Sequence, residues 1–328
     1  MNIPKIVLDE ILTLLKAKKV LKEEVIQNLW SDFGKIIRLH LESEKYPTAV
    51  LKFINPPKIF NHPCGWNTTT SHHRKLKSYT YEDNFYKFFS SICNKDNHSA
   101  VPKHLGTIKT ESTSWLILED LNRKGFNQTK QTIGLREAKF FINWLANFHA
   151  KFFNIKSNKL WKVGTYWHLE TRKEEFKNIK NEKLKNIAVE INNKLNNSKY
   201  KTFVHGDAKL ANFLFSDKLN SVAAVDFQYV GIGCGMKDLA YFTGGIFNED
   251  QCRKYEDEIL DYYFTILKKA LNKKSHQINF PDLESEWRGL YPFAWADFYR
   301  FLLGWQPDHW KINKYGLDMI DIVASKIK

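Results

Sequence analysis

Cysteine is scarce in this chain of 328 residues, and Cys64, Cys93, Cys234 and Cys252 stand far apart with no CxxC pair among them. That spacing excludes a disulfide framework and reads as reduced thiols in a cytoplasmic protein. Long apolar runs are missing too. No stretch approaches the roughly 20 apolar residues of a membrane-spanning helix. The opening Met1-Asn2-Ile3-Pro4-Lys5-Ile6 lacks the basic-then-apolar layout of a secretory leader. There is no internal repeat and no low-complexity linker.

What is present is ordinary for a soluble globular chain: 43% hydrophobic and 26% charged residues. The length is enough for a full core and for two lobes. The net charge of +14 raises the question of a nucleic-acid partner. The cations are dispersed, as in Lys16-Ala17-Lys18-Lys19 and Arg74-Lys75-Leu76-Lys77, and no RNA-binding signature or zinc finger accompanies them. Solvated lysine faces account for the excess, with a positive field that would attract an anionic substrate.

Apolar spacing at Ile6, Leu8, Ile11, Leu12, Leu15 and Val20 predicts one or two amphipathic helices over 5–29. From Gly34 the pattern alternates through Leu41, turns at Ser43 to Pro47 and resumes over Ala49 to Ile54, which predicts strand, turn, strand. A helix is expected over Tyr79 to Phe89, a strand over Thr113 to Leu118 and a long helix over Leu135 to Phe153. The region 172–199 is polar and helical, and everything beyond 251 reads as helix. Strands early and helices late, meeting near residue 120, predict an α+β fold.

The most informative segment is Val204-His205-Gly206-Asp207-Ala208-Lys209-Leu210-Ala211-Asn212, followed by Val225-Asp226-Phe227-Gln228. An acid, a cation two residues on, an amide five residues on and a second acid nineteen residues on suit phosphoryl transfer from a Mg-nucleotide. That chemistry needs a group to orient the attacking hydroxyl, donors for phosphoryl oxygens and oxygen ligands for Mg²⁺. Asp207 fits the first task, Lys209 the second, and Asn212 with Asp226 the third. His205 organises the loop and is not a base.

In these motifs the chain resembles the protein-kinase-like phosphotransferases of small molecules, the aminoglycoside phosphotransferase and choline kinase group, and within it the ecdysteroid-kinase-like branch. The resemblance implies a bilobal protein-kinase-like fold, with a β-rich N-lobe at 1–118, a hinge at 119–123 and an α-rich C-lobe at 124–328. It places Lys52, in Val50-Leu51-Lys52-Phe53, on the nucleotide phosphates and Glu82 as its helix partner. Glu119 and Leu121 fall in the hinge whose backbone holds adenine. The implied cofactors are ATP, or GTP in its place, and Mg²⁺. The implied reaction moves the γ-phosphate to a hydroxyl of a small molecule: choline or ethanolamine, an aminoglycoside, or a sterol- or sugar-like alcohol. Asp238 resembles an acid that braces the loop. The chain departs from protein kinases in having only Asp32-Phe33-Gly34-Lys35 where a G-x-G-x-x-G loop would stand, and no A-P-E segment. The second departure argues against a protein substrate. A nucleotide-binding pseudokinase or regulatory scaffold is the alternative, although no base or metal ligand is missing.

Other residues invite sharper readings than they support. His149 lies on an apolar helical stripe and reads as a satisfied core histidine. His62, Cys64, His72 and His73 match no standard zinc spacing. The aromatics Trp287, Tyr291, Trp295, Phe298, Tyr299, Trp305 and Trp310 could cage a quaternary ammonium or wall an apolar alcohol. Most of them recur at helical steps, which favours core. Trp66 and Tyr166-Trp167-His168 are further candidates for an acceptor pocket. The oligomeric state is not legible.

Overall fold

The computed structural model describes residues 3–57, 68–273 and 278–327. His62, Cys64 and Trp66 lie outside them. The chain divides into two compact units, Met1–Lys95 with Val101–Asn127, and Asp96–Ala100 with Gln128–Lys328.

In the first unit a helix, α1 (Lys5–Leu14), precedes strands β1 (Val20–Asn28), β2 (Gly34–Leu41) and β3 (Thr48–Ile54). A second helix, α2 (Thr69–Cys93), is followed by β4 (His104–Lys109) and β5 (Ser114–Glu119). The strands form one antiparallel sheet in the order β1-β2-β3-β5-β4. The helical periodicity expected through residue 29 ends at Leu14. Val20 to Asn28 is instead a strand paired along β2, from Val20 opposite Leu41 to Asn28 opposite Lys35. Its β-branched Val20, Val25 and Ile26 suit a pleated surface, and pairing with β2 outweighs the local pattern.

One face of the sheet packs on α1, where Val7, Ile11 and Leu15 meet Ile37, Leu39, Leu51, Trp115 and Ile117 in a closed core. Strand alternation turns Lys52 away from that core. Its strand is internal to the sheet, flanked by β2 and β5.

The second unit is largely helical. Its helices are α3 (Leu135–Lys151), α4 (Lys173–Lys177), α5 (Glu182–Asn196), α6 (Met236–Ile246), α7 (Glu249–Asn272), α8 (Phe280–Trp305) and α9 (Lys314–Lys326). After β6 (Phe126–Gln128), short strands β7 (Thr202–Val204), β8 (Phe213–Ser216), β9 (Val222–Ala224) and β10 (Gly231–Gly233) are set among them. β7 pairs antiparallel with β10, and β8 with β9. These two pairs clamp the loops 205–212 and 225–230 at their ends, so the motif residues stand on fixed backbone. Among the described residues no helix is long and apolar enough to cross a membrane.

Candidate active site

The loop after β7 is shaped first by its backbone. Gly206 has φ +80, a left-handed conformation, and a β-carbon there would lie 2.2 Å from the Tyr229 carbonyl oxygen. Only glycine fits without strain. Asp238, in the first turn of α6, receives the amides of His205 at 2.6 Å and Gly206 at 2.9 Å on its two carboxylate oxygens. His149 Nε2 lies 3.1 Å from the same carboxylate, and its Nδ1 lies 2.7 Å from the Tyr263 hydroxyl. His149 is therefore a fully satisfied core histidine, and it also orients the loop brace.

His205 is buried, its ring 4.5 Å from that of Phe227. Its Nδ1 accepts the Asp207 amide at 3.3 Å and its Nε2 donates to the Val225 carbonyl at 3.0 Å. Both ring nitrogens are thereby engaged with backbone, which fixes the tautomer and makes the ring a spacer between the two loops. The Val225 amide in turn donates to the Asn212 carbonyl at 2.9 Å. Asp226 thus follows directly on a residue tied to both His205 and Asn212. It adopts φ +65 and accepts Gln228 Nε2 at 2.6 Å.

Three side chains converge on the buried Asp207 carboxylate. Asn212 Nδ2 donates to its Oδ2 at 3.1 Å and to its main-chain oxygen at 2.8 Å. Lys209 Nζ stands 3.1 Å from Oδ2. The Tyr241 hydroxyl donates to Oδ1 at 2.9 Å. With Nδ2 committed to Asp207, the oxygen that Asn212 offers to a cation is Oδ1. The Asp207 charge raises the Lys209 pKa above its usual value, against the opposing effect of burial and with Asp226 adding to it. Lys209 is therefore a firm cation beside Asp207. Burial, followed by the Asp207 charge, pushes the Tyr241 phenol well above its usual pKa, so the hydroxyl remains a donor.

Around Tyr241 the walls are aromatic. Its ring lies 4.9 Å from both Trp167 and Phe298 and 5.7 Å from Tyr166. Trp167 is anchored below by Nε1 donating to Asp297 at 3.0 Å and by Arg300 donating to its carbonyl at 2.6 Å. Of the aromatics singled out in the sequence, Trp167, Phe298 and Tyr166 therefore pack around Tyr241, whose hydroxyl holds Asp207. Trp287, Tyr291 and Trp295 are buried within the helical packing, and Trp305 stacks on Phe301.

In the first unit, Lys52 Nζ donates to both carboxylate oxygens of Glu82, at 2.9 and 2.7 Å. Both residues are almost fully buried. The adjacent Asp83 is engaged elsewhere, with Thr107, His104 and Lys109. Burial pushes the Asp83 carboxyl up, but those partners outweigh it and hold it at about 2. Glu119 closes β5; its amide donates to the Lys103 carbonyl at 3.0 Å and its carboxylate meets Lys124 at 2.8 Å. Leu121 is buried at the start of the short turn Leu121–Lys124.

Two residues escaped the sequence reading. Tyr241 lies one helical turn after Asp238, a spacing that puts both on one side of α6 and could have revealed it. Lys311, in the connection between α8 and α9, places Nζ 4.5 Å from the Tyr241 ring centre. A lone lysine in a lysine-rich chain carries no such signal.

A divalent cation fits the donors at hand. Among the described residues no group of three or more His, Cys, Asp and Glu side chains could hold a metal. Asp226 and Asn212 Oδ1 are oxygen donors that could hold a Mg²⁺ completed by phosphates and water.

The family model described as Ecdysteroid kinase-like family matches residues 66–163 and 160–276. No curated protein matches the chain. Among solved structures, amicoumacin kinase hAmiN in complex with AMP-PNP, Ca²⁺ and Ami is 13% identical over 99% of this chain and 92% of that chain, with a TM-score of 0.56. The microcompartment-associated aminopropanol kinase is 12% identical over 97% and 94%, with a TM-score of 0.51. At such identities the likeness is one of fold: an antiparallel sheet in the N-terminal region and helices in the C-terminal one.

Proposed function

The chain belongs to the ecdysteroid kinase-like family, a kinase-like small-molecule phosphotransferase family, and from that premise we propose that it transfers the γ-phosphate of Mg-ATP to a hydroxyl of a small molecule. The observation that carries the reading is the convergence of Asn212, Lys209 and Tyr241 on the Asp207 carboxylate.

Asp207 orients the acceptor hydroxyl and takes its proton as the new O–P bond forms and the bond to ADP breaks. The products are a phosphate monoester and ADP. Lys209 holds the γ-phosphoryl oxygens. Asp226 and Asn212 Oδ1 hold Mg²⁺, which supplies charge neutralisation on the phosphates. In the first unit, Lys52 takes the α- and β-phosphates. Glu82 keeps that buried cation compensated and straight, since an unpaired charge there is costly. The backbone of Glu119 and Leu121 receives the adenine. His205 positions Asp207 through backbone and does no proton transfer. AMP-PNP and Ca²⁺ in the hAmiN complex support ATP with a divalent cation as the co-substrate.

The test is Asp226→Ala: turnover should vanish and Mg-ATP binding should weaken. Retained turnover would refute the metal assignment. A pseudokinase is the second reading; the presence in the sequence of Asp207, Lys209, Asn212 and Asp226, residues a degraded kinase tends to lose, favours the kinase.

A further inference from the structure

Lys311 belongs to no part of the machinery described so far, yet it is held at its edge. Its backbone is pinned on both sides: the Tyr299 hydroxyl donates to its carbonyl at 2.7 Å, and its amide donates to His309 Nδ1 at 3.2 Å. Its ammonium is inserted among three rings, 4.5 Å from Tyr241, 5.4 Å from Trp310 and 5.6 Å from Phe298. The backbone of α6 leaves room for it, because a β-carbon on Gly245 would lie only 3.2 Å from Nζ. Among the described residues, no carboxylate comes within ion-pair distance of Nζ. The charged groups that act on it are Asp207 and Lys209. Tyr241 is shared: its ring lies against Lys311 while its hydroxyl holds Asp207.

An arrangement of aromatic faces around a cation is what a protein uses to bind an ammonium ligand. Here the chain's own lysine fills it. A second cation brought to the same place would lose those ring faces and meet like charge from Lys311 and Lys209. An acceptor oxygen, by contrast, would give the ammonium the hydrogen-bond partner that ring faces do not supply.

Resting on the kinase reading above, we propose that Lys311 is the specificity determinant of the acceptor site. It excludes alcohols that carry an ammonium group and selects a non-cationic alcohol that presents an oxygen group to Nζ beside the hydroxyl being phosphorylated.

The experiment compares wild type with Lys311→Ala and Lys311→Met, each first shown by calorimetry to bind Mg-AMP-PNP. Tetramethylammonium binding is then measured by the same method. Wild type should bind none, and Lys311→Ala, with the aromatic site vacated, should bind it with a roughly millimolar Kd. ADP release is followed with choline, ethanolamine and 1-amino-2-propanol in one pool, and with neutral polyols and hydroxy acids in another. Wild type should use the second pool alone. Lys311→Met should raise the acceptor KM about tenfold, without a matching change in the ATP KM. Tetramethylammonium binding or ammonium-alcohol turnover by wild type would overturn the assignment whether or not the variants fold. A KM rise confined to ATP would also overturn it, by moving Lys311 to the nucleotide. Failure of wild type to bind Mg-AMP-PNP would instead strike the kinase reading itself.

Discussion

The Tyr241 hydroxyl donates to Asp207 Oδ1 at 2.9 Å, so one oxygen of the candidate base is held from α6 while the other faces Asn212 and Lys209. Tyr241→Phe keeps the ring against Lys311 and removes only that hydrogen bond. The expected result is a fall in kcat of about ten- to a hundredfold with the ATP KM preserved, since a hydrogen bond to a charged group contributes about 1.5–3 kcal/mol. Steady-state kinetics decide it, and an unchanged kcat would mean that Asp207 is positioned without Tyr241.

Asp238 serves two amides and a histidine at once, all buried. Asp238→Ala strands three polar groups, and a loss of about 3 kcal/mol or more is expected. Urea unfolding measures it. Turnover should fall as well, because the loop that carries Asp207 loses its brace. A variant of wild-type stability would show that water satisfies those amides.

Lys52 and Glu82 form a buried ion pair inside the first unit. Truncating either partner removes this close compensation from the other buried charge, so Lys52→Met and Glu82→Gln should each destabilise by about 3–5 kcal/mol. The double variant should cost less than the sum of the two. Lys52→Met should also raise the ATP KM by about tenfold or more, from loss of a charge-assisted phosphate contact. A double-mutant cycle with strictly additive losses would argue against a coupled pair.

Strands β2, β3 and β5 and helices such as α3 and α5 were legible because their patterns are local, whereas β4 and α6 were not read from the sequence. Alternation marked β2 and β3, and a 3.6-residue stripe marked α3. The region of β1 misled because its apolar residues continue a helical spacing, and only the partner strand decides between the two. The loop from His205 to Asn212 was legible because its parts are contiguous and their order is chemically restrictive. In the structure Asp207, Lys209 and Asn212 do come within hydrogen-bonding distance. Lys52 and Glu82, thirty residues apart, could be paired only through resemblance, with Asp83 competing for the role. Lys311 could not be found at all, since only the fold brings it to Tyr241.

Burial holds the Lys311 ammonium down at about 8, with the Asp207 charge opposing the shift and Lys209 reinforcing it. Because the folded value lies below the unfolded one, the unfolded chain binds the extra proton between them, and stability rises with pH above about 8 through this group. The functional consequence has the opposite sense. Once the ammonium is neutral, the charge that repels ammonium alcohols is gone. The ratio of kcat/KM for non-cationic over cationic acceptors should therefore decline as pH rises through about 8, and Lys311→Met should show no such decline. A ratio that is flat across that range in wild type would separate selectivity from the Lys311 charge.

The central claim, that Asp207 serves acceptor-dependent phosphoryl transfer from Mg-ATP, is tested most directly by ADP release from purified protein given pooled small alcohols, with Asp207→Asn in parallel. Release should depend on one pool and fall by about a hundredfold or more in the variant, the scale of a lost general base. Equal release by Asp207→Asn would contradict it.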